Sequence, residues 1–272
     1  MPSHWEVTLA GPAGGAIPLT APQAVVSGWL DDQRPRRTAA PSPGRSGHED
    51  QARKWACGPF RTHPDPAGQS VALQVRLLDE GLASRLIAAT TPGTAVRLGA
   101  HHYEVAETAR LIGRASWPEL RRWSGERAWQ IRFVTPACFR RGNRTSPWPA
   151  PESVARGLAD RWRRLDPDTA PASPGPGSGP VWVSDVDGRS EACTLTRNTR
   201  RDGRWRLDDA VVSGFTGRIR YVCDAGPDED AAWFGALLAF AVFAGVGSHT
   251  TYGFGVIIPE PTWQPPTTAP VR

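Results

Sequence analysis

From His4 to Leu9 polar and apolar residues alternate, with Trp5, Val7 and Leu9 on one side, the period-two pattern of a half-buried strand. In PQAVVSGWLDD the spacing becomes helical and gathers Val25, Val26, Trp29 and Leu30, so the chain opens as a strand–helix unit. Extended runs at RKWACGPF and VALQVRLLDE, a short helix from Gly81 to Thr90, and alternating strands through AVRLGAHHYEVAETARLI complete a β-α-β-β-α-β order with one further extended stretch. A second copy starts near Ala128. AWQIRFVTP is a strand, and PESVARGLADRWRRL is a helix with Pro151 in its opening turn and Val154, Leu158, Trp162 and Leu165 at helical spacing. EACTLTRNT and RWRLDDAVVSGFTGRIRYVC flank Asp202-Gly203 as a hairpin, and a buried helix over 231–243, a glycine loop and a last strand YGFGVII close the unit.

One doubly wound sheet would need strictly alternating strands and helices. Two tandem ferredoxin-like (RRM-like) folds, an α+β architecture, fit this order better. The expected division is residues 1–125, residues 126–262 and a tail over 263–272. Two polar stretches rich in Pro, Gly and Ser interrupt the elements and read as loops: 33–50, with His48 near its end, and DPDTAPASPGPGSGP.

Ala231 to Gly247 carries only apolar side chains and is 17 residues long, at the lower edge of the roughly 17–25 that span a bilayer. It runs into a polar loop with no basic cluster after it, so a buried helix is expected and no membrane partner. MPSHWEVTLA lacks both a basic start and a long apolar stretch, which speaks against a secretory signal. The four cysteines lie far apart without a C-x-x-C, so neither a zinc ribbon nor a compact disulfide scaffold is signalled; reduced thiols in a cytoplasm fit them.

Composition narrows the chemistry. Hydrophobic residues make up 39% and charged residues 22% of 272, enough for a real core. Lys54 is the sole lysine among 32 basic residues. A phosphate loop ending in Gly-Lys is therefore impossible, since Arg53 precedes Lys54, and Schiff-base chemistry could use no other residue. The net charge of +5 is modest, but 121–164 holds 11 arginines against Glu126, Glu152 and Asp160. Such a cluster is the footprint of phosphate-backbone contacts, with a solvated helix face as the plain alternative.

GVGSHTTYGFG, from Gly245 to Gly255, has four glycines that let backbone approach a ligand closely. It follows a helix, whereas a dinucleotide fingerprint follows a strand, so alone it reads equally as a tight turn. Taken with FVTPACFRRGNRTSPWPAPESVARGLADRWRRL some 80 residues earlier, it resembles the CRISPR-associated repeat-RNA endoribonucleases of the repeat-associated mysterious protein superfamily, the Cas-six family. The resembling residues are Phe133, Thr135-Pro136, Phe139-Arg140, Gly142, the Pro-x-Pro before the helix, Arg161-Trp162 and GFTGRIRY at 214–221, within roughly 127–258.

The resemblance implies two ferredoxin-like domains and cleavage of a CRISPR repeat transcript by its own 2′-hydroxyl, with no metal and no cofactor. Such chemistry needs a base, an acid and a cation. Family members place a histidine in the loop after the first helix, then a lysine and a phenylalanine-rich strand. His48 and Lys54, ahead of the run from Trp55 to Phe60, occupy that place as acid–base and electrostatic stabiliser. Arg53, Arg140, Arg141 and Arg144, the hairpin residues Arg197, Arg200, Arg201 and Arg204, and the loop residues Gly245, Gly247, Ser248, His249, Thr250, Gly253 and Gly255 are the RNA-binding candidates. Two departures stand out. Ser248-His249 replaces the family's usual basic pair, which leaves His249 open as a second catalytic histidine, and the first helix offers Trp29 but no tyrosine. His4, at a terminus with nothing to anchor it, His63 and the pair His101-His102 are read as structural or surface residues. The partner implied is CRISPR repeat RNA, with other effector-complex subunits beside it, for a monomer or homodimer. The alternative function is a non-catalytic RNA-binding subunit of a CRISPR effector complex.

Overall fold

The computed structural model describes residues 1–11, 21–31, 53–65, 68–122, 125–142, 144–174, 181–201 and 204–261; at 21, 63–65, 68, 141, 196–201 and 204–208 it describes the backbone alone. The predicted alternation of Trp5, Val7 and Leu9 gives β1 (Ser3–Gly11), whose buried face sits under α1 (Ala21–Leu30). Val26 and Leu30 are buried there, with Val25 and Trp29 packed beside them. β2 (Trp55–Asp65) and β3 (Gly68–Leu77) follow, then a 3-10 turn at Glu80–Leu82 running into α2 (Ala83–Ala89). β4 (Ala95–Leu98), β5 (His101–Val105) and β6 (Arg110–Arg114) complete the first sheet, in the order β2-β3-β1-β5-β4, all neighbours antiparallel. β6 supplies the further extended stretch: it pairs with the first residues of β1 while β5 pairs with its last. This is the ferredoxin-like order with its last strand split in two.

α3 (Trp117–Leu120), closed by a Ser116–Glu119 capping box, leads to the second unit. Its sheet runs β10-β11-β7-β12, from β7 (Ala128–Ala137), β10 (Trp182–Arg201), β11 (Arg204–Val222) and β12 (Ile257–Glu260). The fold is thus α+β with two tandem ferredoxin-like units. α4 (Pro151–Leu165) and α5 (Asp228–Ala244) pack on it, with Val154, Leu158 and Trp162 buried as their spacing requires.

From Ala231 onward α5 is apolar all round because both its sides are covered. Leu237 and Phe240 join the second core, while Leu78 and Leu120 enter the same cluster from the preceding segments. Trp117 and Trp162 stack on Phe240 at 5.7 and 5.0 Å between ring centroids. A helix without a polar face is stable in water only when enclosed in this way. No helix among the described residues is long and apolar enough to cross a membrane.

Three details depart from the sequence reading. β10 begins at Trp182 rather than Glu191; as an edge strand it needs apolar residues on one face only, so its polar start carries no strand signal. A short hairpin, β8 (Phe139–Arg141) and β9 (Arg144–Ser146), lies inside the arginine run where no strand was expected, since three-residue strands have no readable period. In the last strand, Tyr252 to Val256 belong to the loop instead, because Gly253 and Gly255 take positive φ, which a ladder does not accommodate.

His4 is also corrected. It lies in the central strand of its sheet, opposite the buried Arg76 on β3, and is anchored on both sides. Burial first, and the Arg76 charge second, pull its imidazole down to about 4, against an opposing hydrogen bond with Gln74. The folded pKa therefore lies below the unfolded value, and the stability from keeping His4 neutral is full above about pH 6.5 and declines as pH falls toward 4, by about 2–3 kcal/mol in all. His4→Gln is expected to flatten that part of the decline when urea unfolding is compared at pH 7 and pH 4.5. An equally steep decline in the variant would assign the loss to other groups.

Candidate active site

The glycine loop leaves α5 at Gly245, whose N–H donates to Ala241 O at 2.8 Å. It is stitched to the strand β7 and its continuation: Ser248 N–H donates to Cys138 O at 2.8 Å and Gly255 N–H to Pro136 O at 2.9 Å, while Gly255 O accepts from Val246 N–H at 2.8 Å. Gly247 and Gly255 hold φ of +81° and +66°, and a Cβ on either would overlap the carbonyl oxygen of Cys138 or Val246. These positions admit only glycine. His249 takes the left-handed conformation, φ 63°, and its ring stands edge-on to Tyr252 and Phe254 at 5.9 and 6.0 Å. Phe254 anchors the loop in a small core with Cys138, Cys193, Leu195 and Val212, which joins it to the base of the β10–β11 hairpin. Gly245, Thr250 and Gly255 are buried and shape the loop; Gly247, Ser248, His249 and Gly253 are its partly exposed rim.

The start of β2 abuts this loop from the other unit. Cys57 Sγ–H donates to Thr251 O at 2.8 Å, and a Cβ on Gly58 would stand 2.9 Å from Gly253 Cα. Lys54 is therefore held near the loop by its neighbours along the chain. Its own side chain is exposed, and Nζ donates to Asp79 Oδ2 at 2.6 Å. Asp79 also accepts the Gly81 N–H. The Lys54 bond chiefly, then the Gly81 bond, keep its carboxyl below the usual carboxylate range.

Arg53 points the other way. Its Nη1 donates to Asp31 Oδ2 at 2.6 Å and Ser27 Oγ at 3.3 Å, its guanidinium lies 5.3 Å from the Trp55 ring centroid, and the Trp55 indole N–H donates to Asp31 Oδ1 at 3.0 Å. It is committed to the end of α1. His48, the turn at Asp202-Gly203 and the tail lie outside the described residues. Arg197, Arg200, Arg201 and Arg204 fall on the paired strands of the expected hairpin, with their backbones alone described, as is Arg141.

The arginine run is not one surface. Arg127 donates to the carbonyls of Cys223 and Gly226 and pairs with Asp228, Arg132 pairs with Glu260, and Arg163 with Asp160. Arg140 and Arg144 are exposed on the β8–β9 hairpin, with Arg140 Nε donating to Gly142 O at 3.0 Å. Arg161 is buried: Nη1 donates to Ala244 O at 2.6 Å and Thr250 Oγ1 at 2.8 Å, and Nη2 to Arg53 O at 3.3 Å and Trp55 O at 3.2 Å.

A groove of about 620 Å³, absent from the sequence reading, is lined by Arg61, Arg132, Asp187, Arg189, Thr216 and Arg218 among others. The register of β7, β11 and β12 sets Arg132 beside Arg218, and Glu260 accepts from both at 3.0 and 2.8 Å. The alternation of Ile131 and Phe133, both buried, with Arg132 was the signal that could have found it. Among the described residues no three His, Cys, Asp or Glu side chains converge as a metal site.

Two ferredoxin-like units meet at the glycine loop, and the groove over β7, β10 and β11 carries Arg61, Arg132, Arg189 and Arg218. The family model for the CRISPR-associated endoribonuclease Cas6 matches residues 131–257, most of the second unit. Among solved structures, a Cas6 product complex is 23% identical with a TM-score of 0.67 over 96% of this chain and 99% of that one. A Cas6 substrate mimic complex is 25% identical, with a TM-score of 0.65 over 95% and 99%. Thermus thermophilus Cas6 is 22% identical, with a TM-score of 0.62 over 96% and 98%. A search of curated proteins by sequence found no match.

Proposed function

We propose that this protein cuts CRISPR repeat transcripts into guide RNAs by transesterification. The 2′-hydroxyl upstream of the scissile phosphate gives its proton to a base as its oxygen attacks phosphorus, the bond from phosphorus to the 5′-oxygen breaks, and the leaving oxygen takes a proton from an acid. The products are a 2′,3′-cyclic phosphate and a 5′-hydroxyl, with one proton taken up and one given back and no metal or cofactor required. His48 serves as general acid or base, Lys54 as the cation facing the phosphorane, and the rim of the glycine loop as the phosphate cradle. The observation that carries this reading is the seating of the Lys54 segment against the glycine loop through Cys57–Thr251 and Gly58–Gly253. Arginines of the groove and of the β10–β11 ribbon suit the flanking backbone.

The test incubates purified protein in excess EDTA with a labelled repeat RNA from its own CRISPR array, beside a copy carrying a 2′-deoxy at the cut. Cleavage of the first and not the second is expected. Tight binding without cleavage would assign the chain to the non-catalytic subunits instead, and cleavage that stops with EDTA would overturn the metal-free route.

Asp79 supports a second measurement. An incoming phosphate must compete with its carboxylate for Lys54, and an exposed pair of this kind is worth about 0–1 kcal/mol. Asp79→Asn keeps an acceptor for Gly81 but removes the charge, and is expected to tighten repeat binding about two- to fivefold in fluorescence anisotropy at low salt. Weaker binding would show that Asp79 orients Lys54 rather than competing for it.

A further inference from the structure

Arg161 sits in α4 of the second unit, 4% exposed, with its guanidinium between two parts of the site that are far apart in sequence. One nitrogen reaches the glycine loop: Nη1 donates to Ala244 O, at the end of α5, and to Thr250 Oγ1, in the 3-10 turn Thr250–Tyr252. The other reaches the first unit: Nη2 donates to the carbonyls of Arg53 and Trp55, the two residues that bracket Lys54. The carbonyl of Lys54 itself faces the opposite way and accepts from Leu78 N–H at 2.8 Å. In an extended chain successive carbonyls alternate, so Arg161 on one side and Leu78 on the other hold the Lys54 backbone from both directions, leaving its side chain outside.

We infer that Arg161 is a positioning residue for cleavage, fixing the distance between the Lys54 ammonium and the phosphate cradle. The inference rests on the function proposed above. A planar guanidinium with donors on two nitrogens suits four acceptors in two directions, which a single ammonium cannot serve. The buried carbonyls of Ala244, Arg53 and Trp55 also make the fork costly to move, because an acceptor left without its donor is penalised. Arg161 touches no reacting atom; it acts through Lys54 and Thr250. Among the described arginine side chains of 121–164 it is the buried one, and its neighbour Trp162, also buried, packs on Phe240.

The experiment compares wild-type protein with Arg161→Lys and Thr250→Val in single-turnover cleavage of the repeat RNA at saturating protein, with binding measured on the 2′-deoxy RNA. A misplacement of about 1 Å costs on the order of 10²-fold in rate. Arg161→Lys is therefore expected to lower the cleavage rate constant about 30- to 100-fold while binding stays within about threefold. Thr250→Val, which removes only the link to the loop hydroxyl, is expected to lower it about 5- to 10-fold. A merely structural role would instead reduce the amplitude, by shrinking the folded fraction, and leave the rate constant of the remaining molecules unchanged; that result would overturn the inference. Should Arg161→Lys fail to fold, Thr250→Val decides alone, and an unchanged rate constant there sinks the inference. A wild-type protein that binds but does not cut would overturn the proposed function, and the inference with it, whereas normal cutting by both variants overturns only the role of Arg161.

Discussion

Replacing His48 with alanine is expected to lower the single-turnover cleavage rate by about 10²–10⁴-fold, the range that a positioned proton-transfer group contributes, while leaving repeat binding within a few-fold. Four residues separate His48 from Arg53, so the chain cannot place it more than about 18 Å from the backbone that Arg161 anchors. A separation this short is compatible with a role beside Lys54. A histidine that transfers a proton makes the cleavage rate depend on pH, so the wild-type profile should show an inflection that disappears in His48→Ala. Lys54→Ala is the companion: removing the cation from the developing dianionic phosphorane is expected to cost about 10²–10³-fold, without the change in pH profile. If His48→Ala cuts at the wild-type rate with an unchanged profile, the acid–base assignment is wrong and His249, on the loop rim, becomes the histidine to replace.

The second large effect concerns the loop's shape. Gly255→Ala is expected to destabilise the protein by about 2–5 kcal/mol, combining about 1–2 for a left-handed backbone with about 1–3 for overpacking. Gly255 cannot shift to make room. Its N–H is bonded to Pro136 O, its carbonyl accepts from Val246 N–H, and the added Cβ would overlap the Val246 carbonyl. Gly157, in the middle of α4 with open space where a Cβ would go, is the contrast: Gly157→Ala should stabilise by about 0.4–1 kcal/mol. Urea unfolding of both variants beside wild type measures the pair. A Gly255→Ala protein as stable as wild type would mean that the loop repacks freely and that its glycines do not set the cradle's form.

The sequence reading succeeded where a local period governs the outcome. β1 follows from the alternation of Trp5, Val7 and Leu9, and α4 from the spacing of Val154, Leu158 and Trp162, because each element must turn those residues to a core whatever that core contains. The apolar run within α5 was legible as a buried helix on a different ground, its length and its lack of polar side chains. The site was legible in part. The glycine loop and Lys54 announced themselves by residue type, and helical spacing sets Arg161 on the face of Val154 and Leu158 and Arg163 off it, yet no local pattern shows which four oxygens the Arg161 guanidinium bonds. Arg53 and Lys54 are adjacent and equally basic, but the first is committed to Asp31 and Trp55 while the second faces out.

Local sequence therefore dictates the order and type of the elements and the places where only glycine would serve, since periodicity and backbone sterics act over a few residues. Tertiary structure alone decided which charges are spent inside the molecule and which face the groove: the register that sets Arg132 and Arg218 on Glu260, the central-strand burial of His4, and the fork of Arg161 between Lys54 and the loop. Each of these joins residues distant in the chain, and the free energy of an ionic or polar side chain depends on the partners and the desolvation that packing brings to it, which no local pattern encodes.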